Sequence, residues 1–170
     1  MTREQNDNRV DDNLNNIDLE SSVYAQKAMK LFKEGYNCAQ SVFLAFVDKY
    51  GMDESMALRL SSSFGGGMGR LREVCGAVSG MFMVAGLLYG YDSPTDDEAK
   101  RLHYARIQQL AHTFADETGS IVCRELLGLS HKEDVPTPEK RTEIYYQKRP
   151  CAQMVGLAAA IMERYIAETK

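Results

Sequence analysis

The stretch Phe64–Gly90, FGGGMGRLREVCGAVSGMFMVAGLLYG, decides the fold. Gly65, Gly66, Gly67 and Gly69 lead into a basic turn with Arg70 and Arg72, and Cys75 follows at once. From Val74 to Tyr91 there is no charged residue, and Gly76, Gly80 and Gly86 leave shallow notches along that segment. A helix apolar on every side belongs in an interior, and glycine lets neighbouring backbones come close. The segment therefore predicts a buried helix over residues 74–90 with other helices packed around it. It is short for a membrane span, which takes about 20 mostly apolar residues. Its glycines and Ser79 lower its hydrophobicity further, so no membrane insertion is expected.

Working outward, glycine and proline punctuate a series of amphipathic segments. Val23, Ala28, Leu31 and Phe32 mark a helix over 18–34 that Gly35 stops. Asn37 caps the next, to about Tyr50, and Asp53 caps a short one through Leu60. Residues 61–69 read as a flexible connector. Ser93-Pro94, with Asp96 three residues after the cap, predicts a helix reaching Thr118. Ser120 caps a segment over 121–127, Thr137-Pro138 opens one to about Gln147, and Pro150 pre-sets the first turn of a last helix over 150–168. No alternation supports a strand. With 170 residues the chain suits one domain with a real core. The expected fold is all-α, a single-domain irregular helical bundle around the buried glycine-containing helix. Residues 1–19 form a flexible polar N-terminal arm in this reading, and 20–170 the four-cysteine helical domain.

Lys and Arg number 20 against 24 Asp and Glu, and no basic stretch is dense enough for nucleic acid. The first residues are polar with no hydrophobic run, so no secretory signal is read and a cytoplasmic location is expected. Thiols stay reduced there, so four cysteines point to a metal site or redox thiols before structural disulfides. Cys38, Cys75, Cys123 and Cys151 each fall within about one turn of a predicted helix start. Unpaired N–H groups and the helix dipole favour negative charge there, which lowers a thiol's pKa. Arg70 and Arg72, where they point inward, would act on Cys75 in the same sense. The four thiols are expected to meet around the glycine run, whose N–H groups can form an anion-binding nest. Gly65, Gly66, Gly67, Gly69 and Arg70 are then the cofactor-binding candidates. The alternative is that the cysteines are four small apolar core residues.

Other chemistry is thinly represented. No CxxC pair occurs, which disfavours structural zinc. The glycine run does not match a phosphate-binding P-loop. His103 falls near the apolar face of its helix, as a satisfied half-buried histidine does, while His112 lies on the polar face and His131 in a loop. Tyr145-Tyr146 is read as core cover.

Four segments together carry a resemblance. They are Gly35-Tyr36-Asn37-Cys38-Ala39, Cys75-Gly76-Ala77-Val78-Ser79-Gly80, Ser120-x-x-Cys123-Arg124-Glu125-Leu126-Leu127-Gly128, and Cys151 with its alanine-rich continuation. They resemble the C_GCAxxG_C_C family over about residues 20–168, with all four cysteines in order. The resemblance implies a redox role. It is also similar to the part of split-Soret cytochromes that holds an iron–sulfur cluster; the chain has no CxxCH, so the haem half does not carry over. Three readings follow. In the first, Cys38, Cys75, Cys123 and Cys151 ligate an iron–sulfur cluster for electron transfer with a redox partner protein. In the second, two of them cycle between dithiol and disulfide without metal, Cys75 with Cys38 being the expected pair. In the third, the chain is a non-catalytic binding protein with structural cysteines. Homo-oligomerisation is compatible with each.

Overall fold

The computed structural model describes residues 17–131 and 135–169. Helices run over Val23–Lys33 (α1), Cys38–Ala45 (α2), Val47–Tyr50 (α3), Glu54–Ser61 (α4), Gly76–Tyr89 (α5), Asp97–Thr118 (α6), Cys123–Leu126 (α7), Glu143–Lys148 (α8) and Cys151–Glu168 (α9). Among the described residues the one β-type pairing is an isolated antiparallel bridge between Val74 and Val122. The fold is all-α. No described helix is long and apolar enough to cross a membrane.

The apolar run forms α5 as its sequence requires. Its first half is buried from Gly76 to Met81, and Val84 and Ala85 are buried beyond. α2 packs along it with almost no side-chain spacing. A Cβ placed on Gly80 would stand 2.8 Å from the Ala39 carbonyl oxygen and 3.0 Å from the Val42 Cβ. α9 shares the centre: every residue from Met154 to Met162 is buried. It lies along α1 and also meets α2 and α5, while α6 rests on α5 and α9. The large buried side chains Phe32, Phe43, Phe46, Phe114, Met81 and Leu157 fill the space between these helices.

Several expected boundaries move, each for a visible reason. The helix expected over 37–50 breaks at Phe46 (φ −100°, ψ 15°), whose ring stacks on Tyr24 at 4.3 Å. α6 is capped by Asp96, whose side chain accepts from the Ala99 N–H, with Asp97 and Glu98 in the first turn. Ser93 instead engages Thr95. Thr137-Pro138 does not open a helix; α8 begins later, where the Thr142 side chain accepts from the Tyr145 N–H. The intervening strap has no regular secondary structure and places Pro136, Pro138 and Glu139 on a cavity. Residues 61–69 are no loose connector either: the turn is hydrogen-bonded from Arg70 to Gly65, Arg72 to Gly66 and Glu73 to Gly67. Of the expected N-terminal arm, residues 1–16 lie outside the described residues, while Ile17 is buried and Leu19 packs on the core.

Two glycines of α5 separate packing from propensity. Gly80→Ala forces a methyl against α2 and should cost about 1–3 kcal/mol, the usual range for an overpacked interior. At about 2–4 °C per kcal/mol for a chain of this size, thermal unfolding should drop by several degrees. A Cβ on Gly86 meets nothing within 4 Å. Gly86→Ala should therefore raise the midpoint through the helix preference of alanine, about 0.5–1 kcal/mol. Calorimetry on both variants checks the two opposite signs.

Candidate functional site

Each cysteine occupies the start of a helix. Cys38 is the first residue of α2, Cys75 the N-cap of α5, Cys123 the first residue of α7 and Cys151 the first residue of α9. All four line one cavity of about 280 Å³. Thiols far apart in the chain therefore do come together, as the sequence reading expected.

Local chemistry explains the convergence. Asn37 and Gln40 form a reciprocal capping box that sets the start of α2, and Asn37 also donates to the Ser62 carbonyl at 3.0 Å. Gly65 packs directly on Asn37, where a Cβ would overlap its side chain. Gly76 faces Cys38: an added Cβ would lie 3.0 Å from the Cys38 Cβ and 2.9 Å from the Phe64 carbonyl oxygen. Gly67, at φ +70°, faces Cys123 in the same way, with 2.7 Å to its Cβ. The bridge then ties the second pair together: the Cys75 N–H donates to the Ile121 carbonyl at 2.8 Å, and the Cys123 N–H to the Glu73 carbonyl at 2.6 Å. Met68, Arg70 and Arg72 also take positive φ, an arrangement costly for residues with a Cβ and common around functional sites.

Gly65, Gly66, Gly67, Gly69 and Arg70, the expected cofactor-binding residues, all line the cavity. Arg70 reaches across it and donates to the Thr137 carbonyl, fastening the strap. Arg72, expected to act on Cys75, brings its Nη1 to 3.8 Å from the Cys123 Sγ. Three lining residues escaped the sequence reading. Arg141 donates to the Phe32 and Tyr36 carbonyls at 2.9 and 3.1 Å, with its guanidinium over the Phe32 ring. Arg149 pairs with Glu139. Tyr145, read as core cover, lines the cavity and helps to lower the Cys151 pKa. The signal was a basic, tyrosine-containing run, Lys140-Arg141 to Lys148-Arg149, immediately before Cys151.

The expectation that every helix-start thiol is acidified does not hold. Burial pushes Cys75 up to about 12 even though the Ala77 and Val78 N–H groups reach its sulfur. Burial also raises Cys123, with Arg72 pulling the other way. Cys38 is raised because its hydrogen bond to Cys151 keeps it protonated, and then by burial. Only Cys151 is lowered, to about 7, by the Cys38 hydrogen bond first and by Arg149, Tyr145 and Arg141 against the effect of burial. Desolvation of a thiolate in an apolar wall outweighs a helix-end dipole, whose effect is about 0.3–1 kcal/mol when exposed.

Among the described residues, no three Cys, His, Asp or Glu side chains converge closely enough to share one metal ion. A single tetrahedral zinc, with each sulfur about 2.3 Å from the metal, needs that convergence. Four thiols spread around a cavity suit a larger thiolate-bound group. His103 is buried with its Nδ1 3.0 Å from Arg106 Nη1 and its pKa lowered by burial, so it is a satisfied neutral histidine. His112 and His131 are exposed and take no part.

The family model C_GCAxxG_C_C, described as "Putative redox-active protein (C_GCAxxG_C_C)", matches residues 36–165. The chain belongs to this family. The match begins just before Cys38 and ends near the close of α9, so it spans all four cavity cysteines. No curated protein and no solved structure matches the chain. Within this C_GCAxxG_C_C protein, the glycine after Cys75 is the one that admits Cys38, and the second glycine of CGAVSG, Gly80, is the one that seats α2.

The thiol environments predict a distinct pH profile. Alkylation consumes thiolate, so the rate at Cys151 should rise with pH through a midpoint of about 7, while Cys75 stays inert until far more alkaline. Cys38→Ala removes the chief acidifying partner and should move the Cys151 midpoint upward. Each unit of that shift slows alkylation about tenfold below the midpoint. Peptide-resolved alkylation across pH measures both effects.

Proposed function

We propose that this protein is an electron carrier whose Cys38, Cys75, Cys123 and Cys151 together ligate an iron–sulfur cluster. The observation that carries this reading is the shared cavity: four thiols, each delivered by a different helix start, surround one space of about 280 Å³. A cluster bound by cysteines supplies a one-electron couple whose potential follows charge, hydrogen bonding and exposure.

The chain's own residues then have defined tasks. The four cysteines give up their protons and become thiolates. Arg72 beside Cys123, and Arg141 and Arg149 beside Cys151, offset that negative charge. Gly65, Gly66 and Gly67 keep the wall thin, so that backbone rather than side chain faces the bound group. Pro136 and Pro138 on the strap, with Leu126 and Leu127, add apolar lining to the same cavity. Electrons would pass to and from a redox partner protein.

Loading has a pH dependence with a definite sign. Burial keeps Cys75 and Cys123 protonated in the empty chain, so loading displaces protons and must weaken as pH falls. Protein purified without oxygen should be brown and contain iron and acid-labile sulfide. Cys→Ser at any of the four positions should lower both, and reconstitution should be poorer at pH 6 than at pH 8, a contrast set by displacement of thiol protons. A colourless, iron-free protein after anaerobic purification and attempted reconstitution would remove the proposal.

A further inference from the structure

The four-cysteine cavity has a buried floor and an exposed rim. Gly65, Gly67, Cys75 and Cys123 on its wall are buried. Pro136, Pro138 and Glu139 line the same space and are exposed, so the strap lies where the cavity meets solvent. Residues 135–140 have no regular secondary structure and every one of them is exposed, Val135 included. The strap therefore has no apolar anchor in the core. Pro136 and Pro138 carry no N–H, so lifting the strap strips no donor at those positions.

The contacts that hold the strap come from the body of the protein. Arg70 donates to the Thr137 carbonyl, and Arg149 pairs with Glu139. Both arginines line the cavity. The ion pair is unequal: the Arg149 side chain is 17% exposed and that of Glu139 47%, so the arginine is the fixed partner and the carboxylate the one that leaves. Immediately beyond the strap, Arg141 bonds the Phe32 and Tyr36 carbonyls and lies over the Phe32 ring, which pins that end to α1 and the loop after it. An exposed segment pinned at one end and held at its middle by two side-chain contacts belongs to the low-stability part of a fold, which opens without the core.

We infer that residues 135–140 are a lid on the four-cysteine cavity, hinged at Arg141 and latched by the Glu139–Arg149 ion pair. Closed, the lid places Pro136 and Pro138 on the cavity; open, it leaves the thiols to whatever reaches the rim. A partly exposed ion pair weakens as salt screens it, so opening becomes easier as ionic strength rises, while the neutral carbonyl contacts of Arg141 keep the hinge in place. The lid itself does not depend on the cluster reading; its use in admitting the cofactor rests on that reading.

The experiment uses the full chain, freed of cofactor and reduced under nitrogen. Alkylation of Cys75 and Cys123 is followed by peptide mapping with two reagents, iodoacetamide and a maleimide carrying a polyethylene glycol chain. Glu139→Gln removes the charge of the latch. The bulky maleimide should react about three- to fivefold faster in this variant than in the native chain, the scale of one partly exposed ion pair, and iodoacetamide should gain less. Sodium chloride at about 1 M, where charges are screened within about 3 Å, should speed the maleimide in the native chain and not in the variant. Hydrogen exchange in α5 and α9 should be the same in both. Equal maleimide rates in the two chains, with no salt effect on the native one, overturn the lid. Equal acceleration of both reagents with faster exchange in α5 also overturns it, because the core has then loosened. Offered ferrous iron and sulfide, E139Q should take up iron faster and to the same final content. Faster maleimide labelling of E139Q with no iron uptake by either chain defeats the cluster reading and supports the lid.

Discussion

Close backbone approach at Gly67 and Gly76 governs this molecule. A single methyl at either position would drive into a cysteine: Cys123 at 2.7 Å from a Cβ on Gly67, Cys38 at 3.0 Å from one on Gly76. Without those approaches the start of α2 could not sit over the start of α5, nor could α7 close against the glycine turn. The thiols would then line separate surfaces instead of one cavity. Gly80 continues the same contact one turn further, fixing the angle at which α2 crosses α5. Glycine here does more than relax the backbone: it sets the distance between functional groups.

The electrostatics of the site run against those of the whole chain. The protein carries a formal charge of −4, yet the cavity is lined by Arg70, Arg72, Arg141 and Arg149 with Glu139 as its acid. Guanidinium groups keep their charge in partly buried places and fork to several acceptors at once. Arg141 uses that fork on two carbonyls of α1 and the loop after it, so it ties the strap to the bundle while adding positive charge near Cys151. The same residues therefore serve fold and site. Burial and arginine charge oppose each other at Cys123 and Cys151, and the balance differs: burial wins at Cys123, while the pairing with Cys38 and the nearby arginines win at Cys151.

Much of this was legible in the sequence. An uncharged run interrupted by glycine and short for a membrane span pointed to a buried helix, and the glycine, proline and small polar residues between amphipathic stretches marked an all-α chain. Helix starts could be read well enough to place each cysteine at one. What escaped was set by contacts between distant segments. Thr137-Pro138 has the local form of a helix start, but the Thr137 carbonyl is held by the Arg70 guanidinium and the segment forms no helix. The glycine run looked like a flexible joint because its hydrogen bonds close on itself, through left-handed residues that no periodicity announces. Which residues flank each cysteine depends on how the helices meet, and nothing in the local sequence of any one helix encodes it. The uniform acidity expected of helix-start thiols failed because burial differs from site to site, a property of packing alone.

Iron-edge X-ray absorption of protein purified without oxygen tests the central claim most directly, because it reads the atoms around the metal. Four thiols facing one cavity predict a first shell of sulfur only, together with scattering from a second iron. Iron held through oxygen or nitrogen, or no bound iron after reconstitution, would contradict it.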